Sequence, residues 1–321
     1  MNAKFKPDSN QLSGPTRHGS ERGDRISASY FSSVAARRRM KRRVVLNYTA
    51  RGVFLLVTLL ALLVLAILIY QIIKDSIGWL DLKFLTNNLS IFPERAGIKG
   101  PIIGSLLLMA VVIPVTALLG VATAIFLEEF AGKGRIQSII QTNISNLAGV
   151  PSVIFGLLGL AVFSRALGLG SSILAGGLTM SLLVLPIVVV SAQEAIRAVP
   201  GYLREASYAL GATKWTTIRR VVLPAALPGI LTGTILAVSR AIGETAPLVV
   251  LGIPTLIMKI PASLFDDFTA LPIQIYYWTL DTVLTPEYAN LAAAAIIVLM
   301  TMLILLNSIA IVIRNKFQRK F

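Results

Sequence analysis

Glu205-Ala206-Ser207-Tyr208-Ala209-Leu210-Gly211, followed after nine residues by Val221-Val222-Leu223-Pro224, decides how the rest of the chain is read. The spacing predicts a short helix, a break at Gly211 where the backbone carries no Cβ, a second short helix, and a proline in the first turn of a long apolar span. A knuckle of that shape fits a groove on a partner.

Around the knuckle the chain reads as membrane. Its 321 residues are 55% hydrophobic and only 14% charged, which cannot furnish the surface of a water-soluble globule. There are no cysteines, so disulfides, thiolate nucleophiles and Cys-based metal sites are excluded and the redox compartment stays open. The single histidine, His18, lies in a polar tail.

Apolar runs predict an all-α protein with six transmembrane helices at 53–73, 101–127, 139–163, 171–191, 225–251 and 289–313, each near the ~20 residues a bilayer requires. The first run lies too far along the chain for a secretory signal and is expected to be an uncleaved helix. Most Lys and Arg fall in the tail before residue 52, the Lys133–Arg135 loop, the 193–224 segment and the C-terminal end. The other side holds only Lys74, Lys83, Arg95, Lys99, Arg165 and Lys259. The positive-inside rule therefore makes both termini and the 193–224 segment cytoplasmic. The net charge of +15 follows from topology and anionic lipid head groups, and no aromatic interleaving or recognition fold points to nucleic acid.

The expected organisation is a disordered basic tail over 1–50, a first helix and external loop over 51–99, a transmembrane domain over 100–314, and a short basic end over 315–321. The segment 252–288 is too polar to span. Its Leu271-Pro272-Ile273-Gln274-Ile275-Tyr276-Tyr277-Trp278 stretch reads as a surface-lying loop with room for a short helix at the membrane interface.

The 193–224 segment offers Arg197, Arg204, Glu205, Lys214, Trp215, Arg219 and Arg220 around Ile196, Leu203, Leu210 and Ile218. On composition alone it could equally be an amphipathic helix resting on lipid. The order Glu-Ala-Ser, three residues, Gly, nine residues, Val-x-Leu-Pro resembles the EAA loop of ABC importer permeases, with Ser207 and Val221 as mild departures. Ser239-Arg240-Ala241-Ile242-Gly243-Glu244-Thr245-Ala246-Pro247-Leu248 and Leu147-Ala148-Gly149-Val150-Pro151-Ser152-Val153-Ile154-Phe155-Gly156 are similar to the A-type permease family of phosphate-specific ABC importers, over about 100–313.

That resemblance implies a type I importer permease core of the MetI-like kind, made of spans two to six with the first helix added. Glu205, Ala206, Ser207, Gly211 and Ala212 would dock on a cytoplasmic ATPase. The implied partners are a C-type permease, two ATP-binding cassette subunits, an external phosphate-binding protein and membrane lipid. No Gly-x4-Gly-Lys-Ser/Thr loop is present, so ATP and Mg2+ belong to the partner chains. The location implied is the inner or plasma membrane of a prokaryote.

Within the predicted fifth span, Arg240 lies near mid-bilayer, where a guanidinium costs about 2.5–3.5 kcal/mol on insertion scales. Glu244 is four residues on and reaches it along one helix face. Gly229 and Gly233 share that side at the small-xxx-small spacing of a close helix contact, and Pro247 frees the carbonyl of Gly243 as a hinge. Two readings stand: an ion pair pinning the span, or an anion pathway of Arg240, Glu244 and Thr245. Arginine's planar fork suits phosphate oxygens, and in the resembling family the matching arginine and glutamate are regarded as important for transport.

A membrane enzyme is disfavoured because the spans hold no His, Cys, paired Asp or Gly-x-Ser-x-Gly. An ion-coupled secondary transporter could use Arg240 and Glu244 but has no need of the knuckle. A permease for another oxyanion or solute would carry the same knuckle.

Overall fold

The computed structural model describes residues 34–132, 134–254, 256–257 and 259–317. The chain divides into two units, Met1–Ile69 and Tyr70–Phe321. The first unit is described from the start of helix α1 (Val34–Ser76), which continues into the second. Residues 34–50, expected to be disordered, are helical. The run Ala35-Ala36-Arg37-Arg38-Arg39-Met40-Lys41 is made of strong helix formers, and its charge density masked that preference. The expectation of disorder over 1–33 lies outside the described residues.

In the second unit a short α2 (Leu82–Thr86) is capped by Asp81, whose Oδ1 accepts the Phe84 amide at 2.7 Å. A turn of 3-10 helix (Pro93–Arg95) leads into α3 (Lys99–Ile125), which ends in a π turn over Phe126–Phe130. Then come α4 (Arg135–Leu147), α5 (Ser152–Gly159) with a π turn over Leu160–Ala166, and the long α6 (Ile173–Arg197). The knuckle comprises α7 (Gly201–Ala209) and α8 (Lys214–Thr217), followed by a π turn over Ile218–Val222. The chain closes with α9 (Leu223–Gly243), α10 (Ala246–Leu251), α11 (Leu271–Asp281) and α12 (Glu287–Phe317). Among the described residues the extended pairing is limited to an isolated bridge between Ser172 and Asp267.

Among the described residues five helices are long and apolar enough to cross a membrane: Met40–Ser76, Lys99–Phe130, Ile173–Arg197, Lys214–Gly243 and Glu287–Lys316. The expected third span, 139–163, is instead two helices bent by 102° between Leu147 and Ser152, so the count reaches six only if they are taken as one. Gly149 turns back to donate to the Asn146 carbonyl at 3.0 Å, and Pro151, with ψ of 136°, opens the new direction. A proline has no amide to continue the ladder across that corner.

The expected fifth span, 225–251, is also broken. α9 stops at Gly243, Glu244 is extended with ψ of 122°, and α10 begins after Thr245 with Pro247 in its first turn. Arg240 therefore sits in the last turn of a helix, not amid a continuous one. Within the segment 252–288 the stretch expected to lie on the surface, 271–278, does not, because α11 buries Leu271, Pro272, Ile273, Gln274 and Trp278. Its first amide, at Leu271, donates to the buried Ser105 Oγ of α3 at 2.8 Å, and Trp278 lies 6.1 Å from the Phe84 ring.

α6 is the hub. Apolar contact between helices has little water to expel in a membrane, so close approach at small residues governs their packing. Gly120 of α3 abuts Val188, Gly177 of α6 abuts Val111, and Gly176 abuts Phe268 and Leu108. On the other flank Gly229 of α9 lies against Ala195 and Gly233 against Ser191. Gly156 of α5 lies against Pro247 of α10, so the two broken spans pack on each other beside their breaks.

Candidate functional site

The knuckle is built by two caps. α7 ends in a Schellman motif, in which Gly211, at φ of 80°, donates to the Tyr208 carbonyl at 2.9 Å and Ala212 to the Ser207 carbonyl at 3.2 Å. Leu210 closes the helix onto the Ala206 carbonyl. Thr213 then caps α8, its Oγ1 accepting the Thr216 amide at 3.3 Å. The hairpin is tied across its base by buried Ser207 and Thr217, whose hydroxyls lie 2.8 Å apart. Ser207, the departure from alanine in the sequence pattern, is thus the residue that joins the two helices.

Glu205, Ala206, Tyr202, Tyr208 and Trp215 are exposed, and Leu210 at the tip is 88% exposed. Among α7 residues Ser207 alone is buried. The knuckle thus projects an apolar and aromatic face around one carboxylate, the composition of an interface core rather than of a solvated surface.

Behind it lies a polar clamp that the sequence did not disclose. The π turn at the end of α3, closed by the Ala131 amide on the Phe126 carbonyl at 2.8 Å, carries Glu128 and Glu129 side by side toward the bundle. Glu129 Oε1 accepts from Arg204 Nη2 at 3.0 Å, while Arg204 Nη1 reaches the Val199 carbonyl at 2.8 Å and Nη2 the Ile196 carbonyl at 3.0 Å. Glu128 accepts from Arg197 Nη2 at 2.6 Å and from the buried Gln193 Nε2 at 3.3 Å. Gln193 and Gln141 of α4 exchange amide hydrogen bonds at 2.8 and 3.2 Å. Lys214 stands over the Phe130 ring at 5.0 Å. The one sequence signal was a pair of adjacent glutamates at the end of an apolar run otherwise flanked by basic residues.

The residues assigned to a substrate pathway lie apart from the knuckle. Arg240 Nε and Glu244 Oε2 are 3.9 Å apart, at the limit of an ion pair, with side chains 56% and 20% exposed. Thr245 caps the following helix, its carbonyl accepting from Leu248 and Val249 at 3.1 Å. Ser239 donates to Asn307 Oδ1 of α12 at 2.6 Å, fixing the turn from which Arg240 projects. The next two residues of α9, Ala241 and Ile242, are packed against Leu108, Met109 and Leu248 with no room for a water between them. Gly243, the expected hinge glycine, borders open space.

A helix-hairpin knuckle, a bent pair and a hub helix thus make up an all-α membrane unit. The model for the family of binding-protein-dependent transport system inner membrane components matches residues 117–321, and the chain belongs to that family. It is 34% identical over 206 residues to a probable ABC transporter permease protein YqgI of Bacillus subtilis, covering 64% of this chain and 70% of that one. It is 37% identical over 227 residues to phosphate transport system permease protein PstA 1 of Mycobacterium tuberculosis (69% and 71% covered) and 36% identical over 271 residues to PstA of Mycobacterium leprae (83% and 85%). The inward-facing MetNI methionine ABC transporter shares the fold at 17% identity, with a TM-score of 0.55 over 69% of this chain and 96% of that one. The chain is a multi-pass membrane protein with an ABC permease fold.

Proposed function

We propose that the chain is the A-type membrane subunit of an ATP-driven, binding-protein-dependent importer of inorganic phosphate. The observation that carries this is the knuckle, whose exposed Tyr202, Leu210 and Trp215 have no use in a transporter that works alone. Its occupant in this reading is an ATP-binding cassette subunit, and ATP with Mg2+ is bound there, so this chain is non-catalytic. The other partners are a C-type permease, a second ATPase and an external phosphate-binding protein. The knuckle and both termini face the cytoplasm in this reading, which the distribution of Lys and Arg supports and which takes the bent pair as one crossing. The organisation proposed is a basic tail over 1–50 whose last part, from Val34, is continuous with the first membrane helix, a first helix and loop running on to 99, the permease domain over 100–314 and the basic end over 315–321.

Phosphate as substrate is supported by the two mycobacterial relatives and by Arg240, a guanidinium whose fork can donate to two phosphate oxygens. Because Ala241 and Ile242 are packed into the bundle while the Arg240 side chain is more than half exposed, the pathway in this reading runs between this chain and the second permease. The test is copurification of the complex from membranes and reconstitution with loaded binding protein. ATP-dependent uptake of phosphate, undiminished by excess sulfate, is the expected result; uptake that sulfate or an organic solute abolishes would reassign the substrate.

A further inference from the structure

We propose that Arg204 and Glu129 are positioning residues for energy coupling: their ion pair binds α7 rigidly to the ends of both α3 and α6, so that a displacement of the knuckle moves those two spans together. The inference rests on the reading of the knuckle as the ATPase docking site. Its ground is how α7 is held. Ser207 is its one buried residue, and Leu203 gives it a partly buried apolar foothold on the cluster that includes Ile196, Val199 and Val222. Beyond that foothold its joints to the bundle are polar, and two of them point opposite ways along the chain. Ser207 and Thr217 carry load forward into α8 and α9. Arg204 carries it backward, its guanidinium meeting Glu129 of the π turn, the Ile196 carbonyl in the last turn of α6 and the Val199 carbonyl just beyond it.

The joint has the properties of a strut. Side-chain exposure is 22% for Arg204 and 8% for Glu129, so water competes little for either charge. A planar fork held at four hydrogen bonds by three chain segments fixes orientation as well as distance, which lysine's single ammonium cannot do. The neighbouring Arg197 and Glu128 pair is different in kind, with Arg197 exposed and bonded within its own helix to Glu194 at 3.1 Å. Exposed pairs of that sort contribute little. Glu129 reaches Arg204 only because the π turn adds a residue to the last turn of α3 and swings its carboxylate inward; such turns concentrate at functional positions.

The experiment uses the full complex in proteoliposomes, with three variants: Glu129→Gln, Arg204→Lys, and the exchange Glu129→Arg with Arg204→Glu. The readouts are phosphate taken up per ATP hydrolysed and, because the chain has no cysteine, a crosslink from Leu210→Cys to the ATPase. We expect the crosslink to persist and ATP hydrolysis to continue in the single variants, while uptake per ATP falls about tenfold, in the range of ordinary coupling energies. The exchanged pair, which keeps the ionic attraction but loses the carbonyl contacts of the guanidinium, is expected to recover only part of that loss. A ratio within twofold of the parent in both single variants overturns the strut. Loss of the ATPase from both shows a purely structural pair and overturns it as well. Absence of the crosslink in the parent complex overturns the docking reading itself, a failure distinguishable from the other two.

Discussion

Gly211 is the residue at which sequence and structure meet most directly. An αL position at φ of 80° closes the Schellman motif, and only a residue without Cβ adopts it freely. Nothing lies within 4 Å of where its Cβ would be, so the cost of substitution is backbone strain rather than crowding, about 1–2 kcal/mol for a residue forced left-handed. Gly211→Asn, which tolerates that region, is expected to retain most uptake, and Gly211→Val to lose ATPase association or its stimulation by loaded binding protein; equal behaviour of the two would remove the role of the turn. The bend was legible because a conformation reserved for glycine leaves its mark on residue type. The clamp was not. Arg204 and Glu129 stand 75 positions apart, and their meeting depends on a π turn that shifts the register of the last turn of α3 by one residue, for which Phe126-Leu127-Glu128-Glu129-Phe130 has no distinctive composition.

At the scale of elements, a hydropathy window reports how apolar a run is and not whether its helix is continuous. Spans three and five were therefore legible as membrane segments; Pro247 with Gly243 marked a hinge in span five, but the 102° corner of span three at Gly149 and Pro151 was not legible. α11 was misplaced for a related reason: aromatics suit a membrane interface, but Trp278 instead fills a core position against Phe84. The breaks carry their own test. A Cβ on Gly156 would lie 2.8 Å from the Pro247 Cα and carbonyl oxygen, backbone atoms that cannot swing aside. Gly156→Ala is expected to destabilise the protein by about 1–3 kcal/mol, read as a lower midpoint in a detergent melt. Gly243→Ala, facing open space, is expected to leave the midpoint unchanged, and equal shifts would refute the packed contact. Outside the spans, Asp266 accepts the Ala262 and Ser263 amides at 2.8 and 2.9 Å, and these bonds hold its pKa below the ordinary value of 3.8. A depressed carboxyl stabilises its loop above that ordinary value and ceases to do so as pH falls through the lower folded one. Exchange at the Ala262 and Ser263 amides is accordingly expected to accelerate, relative to the intrinsic rate, only in that acid range, and Asp266→Asn to give the accelerated rate at neutral pH.

For the molecule as a whole, the pathway is a question about where Arg240 points. The sequence placed the guanidinium in the membrane and left open whether it served structure or transport. The geometry weakens the purely structural account, because a pair 3.9 Å apart with Arg240 more than half exposed pins little, and the helix that would have aligned the two charges ends between them. An exposed guanidinium in a membrane unit must face water, a second subunit or both. Removing one charge alone is ambiguous, since Glu244 would be left uncompensated wherever the second subunit covers it. Removing both, as Arg240→Gln with Glu244→Gln, relieves that imbalance and is expected to give a complex that assembles and hydrolyses ATP. If the pair only braced the span, uptake would return with assembly. We expect instead at least about a tenfold loss of phosphate uptake, the equivalent of one charge-assisted hydrogen bond or more, with ATP hydrolysis still responsive to binding protein. Arg240→Lys keeps the charge but not the fork, and is expected to lose uptake nearly as far. Uptake by the assembled double variant within twofold of the parent would show that the anion's route does not pass Arg240.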